Sequence, residues 1–146
     1  MNTSSNQLEK NPASDAEAVA FHEAGHAVVA LALGSKVRVV EIGPRPAAHC
    51  AHRTPTNNAI TALAGWLAEQ RACPNSPWAA DVDFEVACDS AEHLAPAASL
   101  EALKGFLDKA KALLETHWLE VEIVAAALLA RGKLTGEEID ALFCEG

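Results

Sequence analysis

From Asp15 to Leu33 the chain runs without a proline, and Gly25 is the only weak helix former inside that stretch. Ser14-Asp15-Ala16-Glu17 ahead of it fits a capping box, with a Ser to accept from a free N–H and a Glu three residues on to reach back. Gly34 supplies a natural stop. This predicts one helix over about residues 15–33. Apolar side chains lie on most of its faces, so it is expected to be the central, buried element. Whatever this chain folds into must be built around that helix. A length of 146 residues fits one domain large enough to bury a core without disulfides or metal. Aromatics are only 5% and Tyr is absent, which disfavours a β-sandwich and favours close-packed helices.

The remaining elements follow from local signals. Val37–Ile42 is β-branched and partly alternating, and Gly43-Pro44-Arg45-Pro46 ends it. Ala48–Arg53 reads as a second short strand. Thr56-Asn57-Asn58 offers caps for a helix of about 58–72, followed by a loop at Pro74–Pro77. A helix of about 80–94 comes next. Leu100, Leu103, Leu107, Ala110, Leu114 and Trp118 then repeat at three or four residues. A break near Thr116 divides that region into helices of about 98–115 and 117–131, closed by Gly132. Thr135-Gly136-Glu137-Glu138 is a second capping box, for a last helix ending near Phe143. The expected fold class is mainly α, with a small two-stranded β element after the first helix. Residues 1–13 read as a flexible tail and residues 14–146 as a single domain.

The formal charge of −9 argues against a nucleic-acid surface. Cys50, Cys73, Cys88 and Cys144 form no C-x-x-C pair, and the polar N-terminus lacks an export layout. Reduced thiols and a cytoplasmic location are the expectation. The apolar runs Ala27–Leu33 and Ile123–Ala130 are far shorter than the ~20 residues of a membrane span.

The chemistry-bearing motif lies in the first helix: His22-Glu23-Ala24-Gly25-His26. Residues four apart in a helix share a face one turn apart. Both imidazoles can therefore reach one ion at ~2.0–2.1 Å, the Zn–N distance. Glu23 follows the first ligand directly, and its carboxylate can act as general base on zinc-bound water. A catalytic site needs a third protein ligand and an open fourth position. The residues alone leave Asp81, Asp83, Glu85, Asp89 and Glu92 as candidates, with His93 behind them.

With those residues in view, the sequence resembles the peptidase domain of the FtsH-type ATP-dependent zinc proteases. Phe21-His22-Glu23-Ala24-Gly25-His26-Ala27 is similar to that family's H-E-A-G-H-A helix. Val37–Ile42 resembles the strand that follows. Leu63-Ala64-Gly65-Trp66-Leu67-Ala68-Glu69 resembles L-G-G-R-A-A-E, and Ala80-Asp81-Val82-Asp83-Phe84-Glu85-Val86-Ala87 resembles A-S-N-D-L-E-Q-A, in which the Asp is the third zinc ligand. The resemblance covers about residues 14–143. It implies a helical zinc metallopeptidase domain with His22, His26 and Asp83 on zinc and Glu23 as base. Ala64 stands where the family has its first Gly, and Trp66 where it has Arg. Nothing in the chain resembles a G-x-x-x-x-G-K-[ST] phosphate loop, so ATP-driven unfolding and hexamer formation do not carry over.

Glu69 is a candidate to hydrogen-bond a ligand imidazole, with a plain surface charge as the alternative. Gly65 costs ~1 kcal/mol inside a helix, and two readings stand level, a close crossing against the His22–His26 helix and simple tolerance of the glycine. His49-Cys50-Ala51-His52 has too few partners for a second metal site and reads better as an edge strand beside the cleft. Such an edge can hold an extended substrate by strand addition. Trp66, Trp78 and Trp118 read as packing residues, and His93 and His117 as structural.

Two functions compete. One is a zinc metallopeptidase acting, independently of ATP, on a peptide or unfolded protein. The other is a non-catalytic binding or regulatory module of the same fold. Glu23 favours the first, because a structural zinc site gains nothing from a base beside the metal. A separate ATPase and self-association are the further partners in view.

Overall fold

A computed structural model describes residues 12–52, 54–76 and 81–144, with the backbone alone for 12–14 and 81. The described residues form six helices and three strands: α1 (Pro12–Ala32), β1 (Lys36–Glu41), β2 (Ala47–Ala51), α2 (Pro55–Ala72), α3 (Asp81–Leu94), α4 (Ser99–Thr116), α5 (Trp118–Arg131), β3 (Lys133–Thr135) and α6 (Gly136–Phe143). The fold is mainly α, as expected.

Three boundaries move, each for a local reason. Helix α1 begins at Pro12, so Ser14 lies within the helix instead of capping it, and residues 12 and 13 leave the predicted tail. Proline's fixed φ and missing N–H suit a first turn. The same preference shifts α2. Pro55 opens it and Thr54 is the N-cap, its hydroxyl accepting from the Asn57 N–H at 3.1 Å, ahead of the predicted Thr56–Asn58 cap. The third change is larger. The sheet has three strands in the order β2-β1-β3, not two. After Gly132 ends α5 in the left-handed conformation, Lys133–Thr135 pairs antiparallel with β1, placing Leu134 opposite Val40. Both side chains are fully buried. Strand β2 pairs antiparallel with β1 on the other side and is left as an edge.

Helix α1 is the centre of the molecule. Ala20, Ala24, Ala27, Val29 and Ala30 are fully buried, and α2, α5 and the sheet pack around them. Leu63 of α2, Leu128 of α5 and Ile139 of α6 complete the core, each contributing about 1.5–3 kcal/mol through burial. The predicted capping box of α6 forms. Thr135 Oγ1 accepts from the Glu138 N–H, and Glu138 accepts from the Thr135 N–H.

Small residues set how closely α1 and α2 cross. A Cβ on Gly25 would stand 2.6 Å from the Ala68 Cβ and 2.8 Å from the Ala64 carbonyl oxygen. A Cβ on Gly65 would overlap the His26 ring. The two glycines therefore let backbone and imidazole meet where any side chain would push them apart. No helix among the described residues is long and apolar enough to cross a membrane.

Candidate metal centre

His22 and His26 project from one face of α1, one turn apart, with their rings edge to face and 4.7 Å between centroids. Asp83 reaches them from the first turn of α3, and its Oδ2 lies 2.8 Å from His22 Nε2 and 3.3 Å from His26 Nε2. One potential ligand atom from each of the three residues falls within 4.8 Å of the others, and no second cluster of this kind occurs among the described residues. The other carboxylates weighed from the sequence do not join it. Glu85, Asp89 and Glu92 are solvent-exposed, as is His93. The side chain of Asp81 lies outside the described residues.

Each imidazole is held by its other nitrogen. His22 Nδ1–H donates to Glu69 Oε1 at 2.8 Å, and Glu69, at 1% exposure, also accepts from the Ser76 hydroxyl. His26 Nδ1–H donates to the Thr61 carbonyl of α2 at 2.8 Å. Glu69 is therefore a buried partner of His22 and not a surface charge. The Ser76 and Thr61 contacts carry no sequence signal, because one is a loop hydroxyl and the other a main-chain oxygen.

The donor chemistry itself tests whether a metal fits. A carbonyl can only accept, so His26 spends its Nδ1 proton on Thr61, and in the neutral ring Nε2 presents a lone pair. That lone pair faces a carboxylate oxygen at 3.3 Å. Two acceptors aimed at each other are reconciled by a proton on the ring or by a metal ion between them. Bonds of 2.0–2.1 Å at tetrahedral angles would separate neighbouring ligand atoms by about 3.3 Å. The residues present fit a zinc ion.

In the metal-free chain the cluster holds a proton. Burial opposes a charge on His22, but hydrogen bonds to Asp83 and Glu69, with the charge of Glu23, push its pKa up to about 9. Burial would raise Asp83 as well, yet the two imidazoles hold its carboxyl well below the usual range. Glu23 goes the other way, because burial outweighs the nearby histidines and raises it. Glu23 is only 6% exposed, and its Oε1 has no hydrogen-bond partner among the described residues. An orphaned carboxylate oxygen costs about 1–3 kcal/mol of desolvation, a cost structures retain where a ligand or a reaction uses the atom.

A cleft of about 140 Å³ opens beside the cluster, lined by His26 and Asp83 on one side and Ala48, Cys50 and His52 on the other. Alternate residues of the edge strand β2 therefore face the cleft, as its two-residue period requires. His52 is anchored there by a 3.0 Å hydrogen bond between its Nδ1 and the buried Ser35 hydroxyl. Burial and the charge of Glu23 push the Cys50 thiol up to about 11. Trp66 packs edge-on against Phe84, and Trp118 stacks on Phe21 under the Arg71 guanidinium, so both are packing residues. His117 pairs with Glu120 at 2.6 Å. Trp78 lies outside the described residues.

No curated protein matches the chain. Over residues 13–70 it is similar to the family described as Peptidase M50B-like, a metallopeptidase family of the site-2 protease kind and not specifically of the FtsH type. The matched segment contains His22, Glu23, His26 and Glu69 and ends before Asp83.

Proposed function

We propose that the chain is a zinc-dependent metallopeptidase that hydrolyses extended peptide segments without ATP. The observation that carries this reading is Glu23, a buried carboxylate whose Oε1 has no partner among the described residues, next in sequence to one of three converging side chains. His22, His26 and Asp83 would hold the zinc, and Glu69 and Thr61 would fix the two rings in the ligating orientation. When bound, zinc supplies Lewis acidity to the scissile carbonyl and makes water nucleophilic near neutral pH. Glu23 accepts the proton of the attacking water and returns it to the leaving amine. Its raised pKa brings it closer to working pH, where proton transfer in both directions is efficient. The β2 edge lies along the cleft and can take an extended substrate as an added strand. The finer assignment, to an FtsH-type peptidase domain, rests on the resemblance of residues 21–30, 37–42, 63–69 and 80–87, the last of which selects Asp83 as the third ligand.

Substituting Glu23→Gln tests the reading. The amide has almost the same size but takes no proton at neutral pH. Hydrolysis of an unstructured peptide should fall by about 10²–10⁴-fold while zinc stays at one per chain. Retained turnover would remove Glu23 as the base. Zinc bound by the unaltered chain with no turnover of any peptide would support a non-catalytic module instead.

A further inference from the structure

Helix α5 buries Val121, Val124, Ala125 and Leu128 against the rest of the fold, yet its outward side is also apolar. Leu119 is 69% exposed, Leu129 44% and Ile123 36%, and Ala126 and Ala130 are exposed as well. No described residue covers this face. Leu119, Ile123, Ala126 and Ala130 are spaced four, three and four, the interval that keeps one stripe facing a partner helix. Soluble helices normally place polar residues there.

Both the order of side chains and the charges identify the occupant. The two large residues of the stripe lie toward the N-terminal end and the two small ones toward the C-terminal end. Laid antiparallel on a second α5, Leu119 meets Ala130 and Ile123 meets Ala126, so each bulky side chain faces a small one twice over. In a parallel pair, large would meet large and small would meet small. Charge follows the same polarity. Glu120 flanks the stripe near its start and Arg131 lies on the same side near its end. The antiparallel arrangement brings each Glu120 to the partner's Arg131, whereas a parallel twofold carries the two Glu120 side chains to opposite sides of the seam and gives neither an opposite charge. The polar segment at residues 1–11 offers only Met1 and Leu8 as large apolar side chains, a poor match for a stripe of four.

We propose that the outward face of α5 pairs antiparallel, about a twofold axis, with the same face of a second copy of this chain. The contact is isologous, as most closed dimers are. One 14-residue helix is about 21 Å long, so the interface is small and the dimer belongs to the weak, concentration-dependent class. No residue of α5 lines the cleft beside His26, so pairing leaves that cleft open. The inference is independent of the metal and of any hydrolytic activity.

Sedimentation velocity on the full chain from about 10 µM to about 1 mM should show monomers converting to dimers, a range suited to a weak interface. Ala126→Glu places a charge in the middle of the stripe at an exposed position and should leave a monomer throughout. Glu120→Lys alone and Arg131→Glu alone should each weaken dimerisation by about tenfold, and the double variant should restore it, because the pair is then reversed, not removed. The Glu120–His117 bond is lost in both Glu120 variants, so recovery in the double variant reports on Arg131 of the partner copy alone. A monomer at every concentration overturns the proposal. So does a dimer untouched by Ala126→Glu, or a double variant as weak as the single ones.

Discussion

The two sides of α1 are built on opposite plans. Against α2 it presents Gly25 and His26 to Ala64, Gly65 and Ala68, and the helices approach until a single added methyl would collide with backbone or imidazole. Two polar contacts cross that interface, His26 to the Thr61 carbonyl and His22 to Glu69. Toward α5 the contacts are Phe21 stacked on Trp118 and apolar side chains of ordinary size, among them Val121, Val124 and Leu128. One side spends small residues to position chemistry. The other buries apolar area to hold the domain together. Stability and metal binding should therefore be separable by substitution.

The largest effect on stability is expected on the α5 side. Leu128→Ala removes a fully buried side chain and should cost about 2–5 kcal/mol, read by denaturant unfolding, with zinc still binding one per folded chain. Loss of zinc from the folded variant would show that the two sides are not independent. Gly65→Ala tests the other side. It should cost about 1–3 kcal/mol through overpacking and, unlike Leu128→Ala, should also displace His26 and lower zinc affinity. A smaller effect belongs to Glu69→Gln. The amide can still accept from His22 Nδ1–H but without charge, so zinc affinity should fall by about 10–100-fold in a competition titration while unfolding changes little.

The pH dependence also separates the metal-free and metal-loaded chains. In the metal-free chain His22 has a folded pKa of about 9, above its ordinary 6.5. Its charged form stabilises the fold fully below pH 6.5, and that contribution is lost as pH rises through 9. Zinc competes with the same proton, so the stabilisation added by zinc should grow over this interval. Thermal unfolding from pH 6.5 to 9 should show stability falling in the metal-free chain and holding level in the zinc-loaded one. Parallel slopes would mean that zinc does not displace the His22 proton.

Most of this division was legible in the sequence, for uneven reasons. The first helix and its paired histidines follow from an i, i+4 spacing that any helix converts into one face. Asp83 lies far along the chain, and the residues alone left it level with Asp81 and Glu85. Only the family resemblance singled it out, and its place beside both imidazoles is a tertiary outcome. Gly65 was half readable: an interior helical glycine raises a close crossing, but only the His26 ring against it decides between that and simple tolerance. Strand β3 was not readable. Three residues, Lys133–Thr135, are too few for periodicity, and what makes them a strand is pairing with β1, nearly a hundred positions earlier. Ser14 looked like a cap because its motif was complete, but Pro12 starts the helix before it.

The central claim is that His22, His26 and Asp83 converge on one zinc ion. Crystals of the zinc-loaded chain, measured on both sides of the zinc absorption edge, test it directly. The account predicts a single anomalous peak within about 2.0–2.2 Å of His22 Nε2, His26 Nε2 and an Asp83 oxygen, with Glu23 near but not bonded to it. A peak held by Asp81 in place of Asp83, a peak bonded to Glu23, or no peak between the two histidines would contradict it.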